Sequence, residues 1–271
     1  MEQAIYSGFK QRNERNMNFE KINAIVSGGV SGLGLATCER IVKVGGKVAM
    51  LDVNEQQGQE VVKKLGSNAL FIKTDVSSEQ SVNAAVEKTK TAFGNLQLAV
   101  NCAGILGAGR TLGKEGPMAT DFFAKVIQVN LIGSFNLIKA AANVMQHNAP
   151  NAEGERGVIV NTASVAAFEG QIGQAAYSAS KGGVVGMTLP IAREFARFGI
   201  RVMTIAPGIF WTPMMAGMSE EVQKSLGAQV PFPSRLGKPE EYAQLVQQIC
   251  ESVMLNGTTI RLDGAIRMQP K

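Results

Sequence analysis

The strongest constraint on the fold is an alternation, from Lys21 onwards, of short β-branched runs with longer segments of helical period. Apolar strands joined by helices are typical of a parallel sheet that is covered on both faces. We predict one α/β domain, a doubly wound sheet of seven parallel strands. The predicted strands are 22–27, 47–51, 69–73, 96–101, 157–163, 200–206 and 258–262. The predicted helices are 32–44, 54–65, 78–93, 120–146 and 175–198, with a long irregular connection over 207–256.

No change in composition marks a linker, so the fold is expected to be a single domain. We predict that it covers 20–271, after an N-terminal extension over 1–19 that is expected to be mobile. The extension lacks an apolar segment and contains Glu2 and Glu14, unlike a signal or transit peptide. The three cysteines are widely spaced without a CxxC motif, which favours a reducing compartment. We therefore expect a cytoplasmic protein, or a protein of the mitochondrial matrix in a eukaryote.

The composition argues against several kinds of site and partner. The single histidine, His147, leaves no second imidazole for a histidine-based metal site, and it stands in a polar stretch far from any nucleophile motif. The net charge is +5, but the basic residues are scattered, so no nucleic-acid partner is expected. The apolar runs are far shorter than the roughly 18 to 20 residues of a membrane span. We therefore predict no metal and no membrane partner, and acid–base chemistry is left to Tyr, Lys, Asp, Glu or Ser.

A glycine-rich loop, SGGVSGLG, follows the first predicted strand and opens a helix. Its glycines Gly28, Gly32 and Gly34 permit a tight turn and let a pyrophosphate approach the backbone N–H groups at the helix end. Asp52 stands about 20 residues further on, where a carboxylate binds a ribose diol and repels a 2′-phosphate. The pattern predicts a Rossmann-type domain that binds NAD rather than NADP. The alternative is a tight strand–helix turn without a ligand.

The segment YSASK predicts an acid–base site. Tyr177 and Lys181 are four positions apart, so their side chains share one helix face. A nearby ammonium favours the phenolate, so we expect Lys181 to lower the pKa of Tyr177. The Ser164 hydroxyl, at the end of the fifth predicted strand, is placed to stabilise charge on a substrate oxygen. The alternative is an amphipathic residue pair at the edge of a core helix.

These motifs, in this order, resemble the short-chain dehydrogenase/reductase family. Further matches are DV at 75–76, NCAG at 101–104, VNLIG at 129–133 and PG at 207–208. The resemblance implies four catalytic residues, which are Asn130, Ser164, Tyr177 and Lys181. Asn130 is implied to support a water-linked proton path, and Thr212 is implied to touch the nicotinamide. The implied NAD-binding residues are Ser27, Gly28, Ser31, Gly32, Leu33, Gly34, Asp52, Asp75, Val76, Asn101, Cys102, Ala103, Gly104, Tyr177, Lys181, Pro207, Gly208 and Thr212.

Longer segments narrow the resemblance within the family. NTASVAAFEGQIGQAAYSASKGG and LNGTTIRLDGAIRMQP are similar to a subfamily of NAD-linked, tetrameric 3-hydroxyacyl-CoA dehydrogenases. The similarity implies a homotetramer that oxidises an (S)-3-hydroxyacyl-CoA to the 3-oxoacyl-CoA. The implied substrate contacts are Ser164, Gln171 and Tyr177. Arg110 and Lys114, in the loop over 105–119, are placed to attract the phosphates of CoA.

Three other functions stay open. A 3-oxoacyl-[acyl-carrier-protein] reductase shares the catalytic residues but usually uses NADPH, which Asp52 disfavours. Some relatives act on hydroxysteroids. A non-enzymatic scaffold is disfavoured by the complete catalytic set.

Two adjacent glycines inside the last predicted helix suggest an interface. Gly182 and Gly183 each cost about 1 kcal/mol relative to alanine in a helix interior, so a compensating contact is expected. We predict that this helix packs closely against its copy in the homotetramer.

Overall fold

A seven-stranded parallel sheet forms the centre of the protein in a computed structural model, which describes residues 17–212 and 219–270. The strand order is β3-β2-β1-β4-β7-β8-β9. These strands are β1 Asn23–Ser27, β2 Lys47–Asp52, β3 Ala69–Lys73, β4 Leu98–Asn101, β7 Gly157–Thr162, β8 Ile200–Pro207 and β9 Thr259–Leu262. An antiparallel hairpin, β5 Leu112–Gly113 and β6 Gly116–Pro117, lies outside the sheet and was not predicted. The prediction of a seven-stranded parallel sheet is confirmed.

Helices connect successive strands and cover both faces of the sheet. They are α1 Gly32–Lys43, α2 Glu55–Leu65, α3 Glu79–Phe93, α4 Thr120–Ile127, α5 Gly133–Met145, α6 Ala175–Phe195, α7 Glu220–Ala228 and α8 Pro239–Glu251. Successive strand residues point to opposite faces. Val26 and Met50 accordingly pack with α1 and α8, whereas Ile25 and Leu51 pack with α3 and α5. This is the predicted doubly wound arrangement.

The order in which strands are added to the sheet reverses between β1 and β4. Strands β2 and β3 continue to one side of β1, and the later strands continue to the other side of β4. The last residues of β1 and β4, Ser27 and Asn101, pair in register, and Asn101 pairs with Asn161 of β7. Open parallel sheets bind ligands outside the carboxyl ends of the strands at such a reversal. The glycine loop, the NCAG segment and Ser164 all follow strands that end at this edge.

The helix predicted over 120–146 is interrupted in the structure. Helix α4 ends at Ile127, and a π-helical turn, Gln128–Ile132, precedes α5. Such a turn displaces the regular hydrogen-bond ladder and often marks a functional position. Asn130 lies within it and is fully buried. The apolar period is compatible with either arrangement, so the sequence predicted one continuous helix.

The packed domain includes residues that the sequence assigned to the N-terminal extension. Met17 and Phe19 are buried in the core that also contains α1 and α8. A short 3₁₀ turn, Phe19–Lys21, leads from them into β1. The domain therefore includes residues 17–19, and the rest of the predicted extension, 1–16, lies outside the described residues.

The described part of the chain lacks both a membrane-spanning helix and a cluster of metal-binding side chains. No helix there is both long and apolar enough to cross a membrane. Within the same residues, no group of three or more His, Cys, Asp and Glu side chains is arranged to hold a metal ion.

Candidate active site

The loop after β1 forms a cradle that side chains would fill. Gly28 has a φ of 64°, and a Cβ atom there would lie 2.8 Å from the backbone nitrogen of Ala103. A Cβ atom at Gly34 would collide with the carbonyl oxygen of Gly28. Ser31, the N-cap of α1, makes no side-chain capping hydrogen bond to the first turn of the helix. The glycines therefore let this loop pack closely against the 101–104 segment and against the start of α1, and the N–H groups of the first turn, which includes Leu33, suit a pyrophosphate.

Asp52 ends β2 beside this cradle, because Gly29 donates a hydrogen bond to the Leu51 carbonyl (3.3 Å). Its Oδ1 accepts from the Asn54 backbone nitrogen (3.1 Å), and the side chain is half-buried. The neighbouring cation in β3, Lys73, donates to Glu55 (3.0 Å) instead. The carboxylate of Asp52 therefore keeps acceptor sites for the hydroxyls of a ribose.

The NCAG segment, 101–104, closes the other side of the cradle. The Cys102 nitrogen donates to the Ser27 carbonyl (3.1 Å), and the Ala103 nitrogen donates to the Ser27 hydroxyl (3.3 Å). Asn101 donates to the Asn161 amide oxygen (2.9 Å), and its own Oδ1 has no partner among the described residues. Ser27 therefore fixes the backbone of Cys102 and Ala103, and this backbone is the part of the segment that lies against the cradle.

Cys102 does not face the cradle as a reactive thiol. Its sulfur lies 3.6 Å from the Thr162 hydroxyl and 3.7 Å from the Tyr242 hydroxyl. Burial raises the pKa of the thiol, and the two hydroxyls offset only part of that effect. Cys102 therefore contributes to the site through its backbone and its packing.

Asp75 and Val76 lie in the loop after β3. Asp75 uses Oδ1 to accept from the backbone and the hydroxyl of Ser77 (2.9 and 2.7 Å). Val76 is buried against Gly133, where a Cβ atom would lie 2.8 Å from its methyl group, and its carbonyl accepts from Asn136 (3.0 Å). Asp75 is exposed, as a contact to adenine requires; that contact stays a prediction.

The structure brings Ser164, Tyr177 and Lys181 together at the carboxyl end of β7. Ser164 precedes a 3₁₀ turn and accepts from the Ala166 nitrogen (3.1 Å), and its side chain is close enough to Tyr177 to act on the pKa of the phenol. The Lys181 Nζ lies 5.7 Å from the centre of the Tyr177 ring and donates to the Thr162 carbonyl (2.8 Å). One turn of α6 therefore lies against the end of β7, and the catalytic roles of the three residues stay predictions.

The effect expected of Lys181 on Tyr177 is not what the structure gives. Burial raises the pKa of Tyr177, and the Ser164 hydrogen bond offsets only part of this rise. Burial also lowers the pKa of Lys181 to about 8. The prediction that Lys181 lowers the pKa of Tyr177 is wrong for the chain on its own. Burial of the phenol is the largest cause of its shift, and the ammonium of Lys181 donates to the Thr162 carbonyl.

The Asn130 side chain links the π-helical turn to the loop that contains Ile105 and to helix α6. Its Oδ1 accepts from the Ile105 nitrogen (2.8 Å), and its Nδ2 donates to the Ile105 carbonyl (2.9 Å) and to the Ser180 hydroxyl (3.0 Å). A Cβ atom at Gly104 would lie 3.1 Å from the Asn130 Oδ1 and 3.6 Å from the Lys181 Nζ. The side chain therefore lies near Lys181 and is fully used in joining the 105 loop to α6. The water-linked path stays a prediction.

Pro207 and Gly208 end β8 at the same edge of the sheet. The Gly208 nitrogen donates to the Leu262 carbonyl (2.9 Å), and a Cβ atom at Gly208 would lie 2.9 Å from the Asp263 Cα. Thr212, half-buried, is the last described residue before the gap at 213–218. The turn brings the chain over the carboxyl edge, where the predicted contact of Thr212 with a nicotinamide is still untested.

Comparison with known proteins decides the family. The family model described as short chain dehydrogenase matches residues 22–223. The chain is a member of the short-chain dehydrogenase family. The matched range includes the glycine cradle, the NCAG segment, Asn130, Ser164 and α6.

Curated members of the family align over most of this chain. Human and Drosophila melanogaster proteins named 3-hydroxyacyl-CoA dehydrogenase type-2 are 57% and 53% identical to it over 249 residues. Each alignment covers 91% of this chain, with 95% of the human and 98% of the fly protein. A human (3R)-3-hydroxyacyl-CoA dehydrogenase is 33% identical, over 90% of this chain and 95% of that protein.

A solved structure of the family also matches the fold. The 3-hydroxyacyl-CoA dehydrogenase type-2 from Mycobacterium avium has a TM-score of 0.88 and 40% identity, over 93% of this chain and 98% of that one. The recognition of the family from its motifs is thereby confirmed.

Sequence reasoning missed three residues that support the group formed by Ser164, Tyr177 and Lys181. Thr162 supplies the carbonyl that binds Lys181, and its hydroxyl lies 2.7 Å from that of Tyr242 in α8. Ser180 joins Asn130 to the Tyr177 carbonyl, to which it donates (2.7 Å). Thr162 and Ser180 stand next to recognised motif residues, which is the only signal the sequence offered. Tyr242 lies far along the chain without a motif.

Proposed function

We propose that this chain is an NAD-dependent dehydrogenase that oxidises (S)-3-hydroxyacyl-CoA to 3-oxoacyl-CoA. The observation that carries the proposal is the group formed by Ser164, Tyr177 and Lys181 beside the glycine cradle. The names of the relatives that are 53 to 57% identical support the substrate class. Family membership supports a nicotinamide cofactor, and NAD is the specific choice proposed here.

Tyr177 is the proposed proton carrier. When bound, the cofactor would supply the carbon that accepts the hydride and, in its oxidised form, a positive charge that favours a nearby phenolate. In oxidation Tyr177 takes the proton of the substrate hydroxyl, and in reduction it returns the proton to the carbonyl oxygen. Its raised pKa suits the acid role, because the phenol stays protonated until the substrate oxygen develops charge.

Ser164 and Lys181 support Tyr177 in different ways. The Ala166 N–H occupies one acceptor site of the Ser164 oxygen, which leaves its own hydrogen to be directed at Tyr177 or at a substrate oxygen. Lys181 is held by the Thr162 carbonyl, with Asn130 close by. We propose that Lys181 binds the ribose hydroxyls of the cofactor and is charged when they are present.

Asp52 is the basis for proposing NAD over NADP. It ends β2 next to the cradle, and the two residues that follow it, Val53 and Asn54, are uncharged. The nearest cation in the sheet register, Lys73, is paired with Glu55. A 2′-phosphate would meet a carboxylate here without an available cation, which opposes its binding.

The loop over 105–119 is the proposed site of CoA contact. The Gly109 nitrogen donates to the Gly173 carbonyl (2.8 Å), which joins this loop to the segment between Ser164 and Tyr177. Arg110 and Lys114 are both exposed in it. The hydrogen bond to Gly173 places this loop next to the segment that leads to Tyr177, so their charges suit the phosphates of a CoA whose thioester reaches Tyr177.

A homotetramer is proposed from an exposed apolar surface on the helices next to the site. Helices α4 and α6 pack together, and five large side chains on α4, the π-helical turn, α5 and α6 are more than a third exposed. These are Phe122, Phe123, Ile132, Phe135 and Leu189. Surfaces of this kind mark protein–protein contacts, and we propose a second copy of the chain as the partner.

The free cysteines Cys38, Cys102 and Cys250 support a reducing compartment, the cytoplasm or the mitochondrial matrix.

A second candidate is a 3-oxoacyl-[acyl-carrier-protein] reductase. It is favoured by a structure named 3-ketoacyl-(acyl-carrier-protein) reductase from Brucella melitensis, complexed with NADH, which has a TM-score of 0.81. That protein is 28% identical over 92% of this chain and 98% of its own, well below the identity of the type-2 relatives.

The test is the reduction of acetoacetyl-CoA with NADH and with NADPH. We expect turnover with NADH and little with NADPH, because the Asp52 carboxylate opposes the 2′-phosphate. Asp52→Asn should narrow the difference between the turnover rates with NADH and NADPH, because it raises the affinity for NADPH. The rate with NADH should be much less affected. A preference of the unaltered chain for NADPH would overturn the choice of NAD. Turnover of the acyl-carrier-protein thioester alone would favour the second candidate.

A further inference from the structure

One loop joins the catalytic residues Ser164 and Tyr177 along the chain. This connecting loop, 168–174, leaves the 3₁₀ turn that follows Ser164 and leads into α6. On one side its Gly173 carbonyl accepts a hydrogen bond from the Gly109 nitrogen of the proposed CoA loop. Its position therefore affects both the reacting end and the CoA end of a bound thioester.

The other side of the connecting loop is hydrogen-bonded to the C-terminal segment, 267–270. The Gln171 Nε2 donates to the Gln269 carbonyl (3.0 Å), and the Ile172 nitrogen donates to the Pro270 carbonyl (3.0 Å). Both acceptors are backbone carbonyls. The loop therefore depends on a segment that lies almost a hundred residues away in the sequence.

Glu169 anchors this contact to the sheet. Both of its carboxylate oxygens accept from the guanidinium of Arg261 in β9 (2.8 and 3.1 Å), and Oε2 also accepts from the Met268 nitrogen (3.3 Å). Arg267 lies 3.4 Å from the same carboxylate. Arg261 is itself fixed by Asp263 (2.7 Å). The arginines hold the pKa of Glu169 below its usual range, so the carboxylate stays charged.

The Gln171 side chain takes part in this contact. One of its amide hydrogens binds the C-terminal segment and its backbone nitrogen donates to Gln174 (3.0 Å), while its contact with the substrate stays a prediction. The amide is thus well placed to fix the loop.

We infer that Glu169 and Gln171 are positioning residues, which bind the C-terminal segment and thereby hold the connecting loop as one wall of the acyl-CoA site. This inference rests on the proposed function. It predicts that residues 268–270 contribute to substrate affinity without touching the reacting atoms.

The test compares the full chain with a chain that ends at Arg267 and a control that lacks only Lys271. The shorter chain loses both carbonyl acceptors, whereas the control keeps them. We expect the KM for acetoacetyl-CoA to rise about tenfold in the shorter chain, which also loses the hydrogen bond from Met268 to Glu169. This rise is at the low end of the cost of three ordinary hydrogen bonds. The kcat and the dissociation constant of NADH should be unchanged, and the amide of Ile172 should exchange its hydrogen faster.

A second variant keeps the chain length. Glu169→Gln removes the ion pair with Arg261 and should raise the same KM with the same kcat. Glu39→Gln is its control, because Glu39 pairs with Lys64 (2.7 Å) between α1 and α2, away from the loop. This variant decides the question if the shorter chain does not fold.

An unchanged KM in both variants would overturn the inference, as would a fall in kcat with KM constant. An equal weakening of NADH binding would also contradict it, because that indicates a general loss of structure. If the full chain does not turn over acetoacetyl-CoA, the proposed function fails. The exchange rate at Ile172 then still shows whether the C-terminal segment holds the loop.

Discussion

Lys181 is buried where its positive charge is unfavourable. The Thr162 contact, the nearby Tyr177 ring and the Cys102 sulfur offset only part of the loss of water, and the pKa of the ammonium falls to about 8. An ordinary lysine titrates near 10.5, so the charged form costs on the order of 3 kcal/mol of stability. The cost is complete below about pH 8 and disappears as the pH rises towards 10.5, because the unfolded chain also loses its proton there.

We therefore predict that Lys181→Met makes the protein inactive but more stable near neutral pH. The free energy of unfolding in urea should rise by roughly 1–2 kcal/mol at pH 7, after allowance for the lost hydrogen bond. The gain should shrink as the pH approaches 10. A variant that is less stable than the unaltered chain at pH 7 would contradict this account of the lysine.

At the level of single residues, the sequence predicted which side chains contact one another. It did not predict the direction in which their pKa values shift. The four-residue spacing of Tyr177 and Lys181 fixes their common helix face, and the strand end fixes Ser164. The direction of the Tyr177 pKa depends on how much protein surrounds the phenol, which the spacing does not contain. The role of Thr162 could not be predicted either, because its contact to Lys181 is made by a backbone carbonyl.

Helix α6 shows how an element can satisfy two requirements at once. The two adjacent glycines were both assigned to an interface, but a Cβ atom at Gly183 would lie 2.7 Å from Leu131 of the same chain. The compensating close approach for Gly183 is therefore within the chain. A Cβ atom at Gly182 has one neighbour, 3.9 Å away, and at Gly186 it would meet no described atom within 4 Å. Gly182 and Gly186 are the ones that remain available to a second copy.

Gly186→Arg tests the proposed homotetramer. In an isolated chain the substitution should be harmless or slightly stabilising, because it replaces glycine with a better helix former by about 1 kcal/mol. In a tetramer it places a charge inside the contact, so the mass in sedimentation should fall to that of a dimer or monomer. Ala84→Arg, on the exposed face of α3, is the control and should keep the tetramer. A Gly186→Arg protein that remains tetrameric would exclude this face of α6 as the contact.

At the scale of the whole molecule, the sheet could be predicted because each strand carries its own signal. Seven apolar runs separated by helical segments specify a parallel, doubly wound sheet, and the glycine cradle identifies its ligand edge. The contact of the C-terminal segment with the connecting loop could not be predicted. Arg261 and Glu169 are 92 positions apart, and nothing in the local pattern of either residue indicates the other.

The central claim is that Tyr177 moves the proton while an (S)-3-hydroxyacyl-CoA gives its hydride to NAD. The most direct measurement is the formation of NADH from NAD and the separate (S) and (R) enantiomers of 3-hydroxybutyryl-CoA. Tyr177→Phe, which removes only the hydroxyl, is the matched control. The account predicts NADH from the (S) enantiomer, little from the (R) enantiomer, and a loss of about 10²-fold or more in the Phe variant. Preference for the (R) enantiomer, or full activity without the Tyr177 hydroxyl, would contradict it.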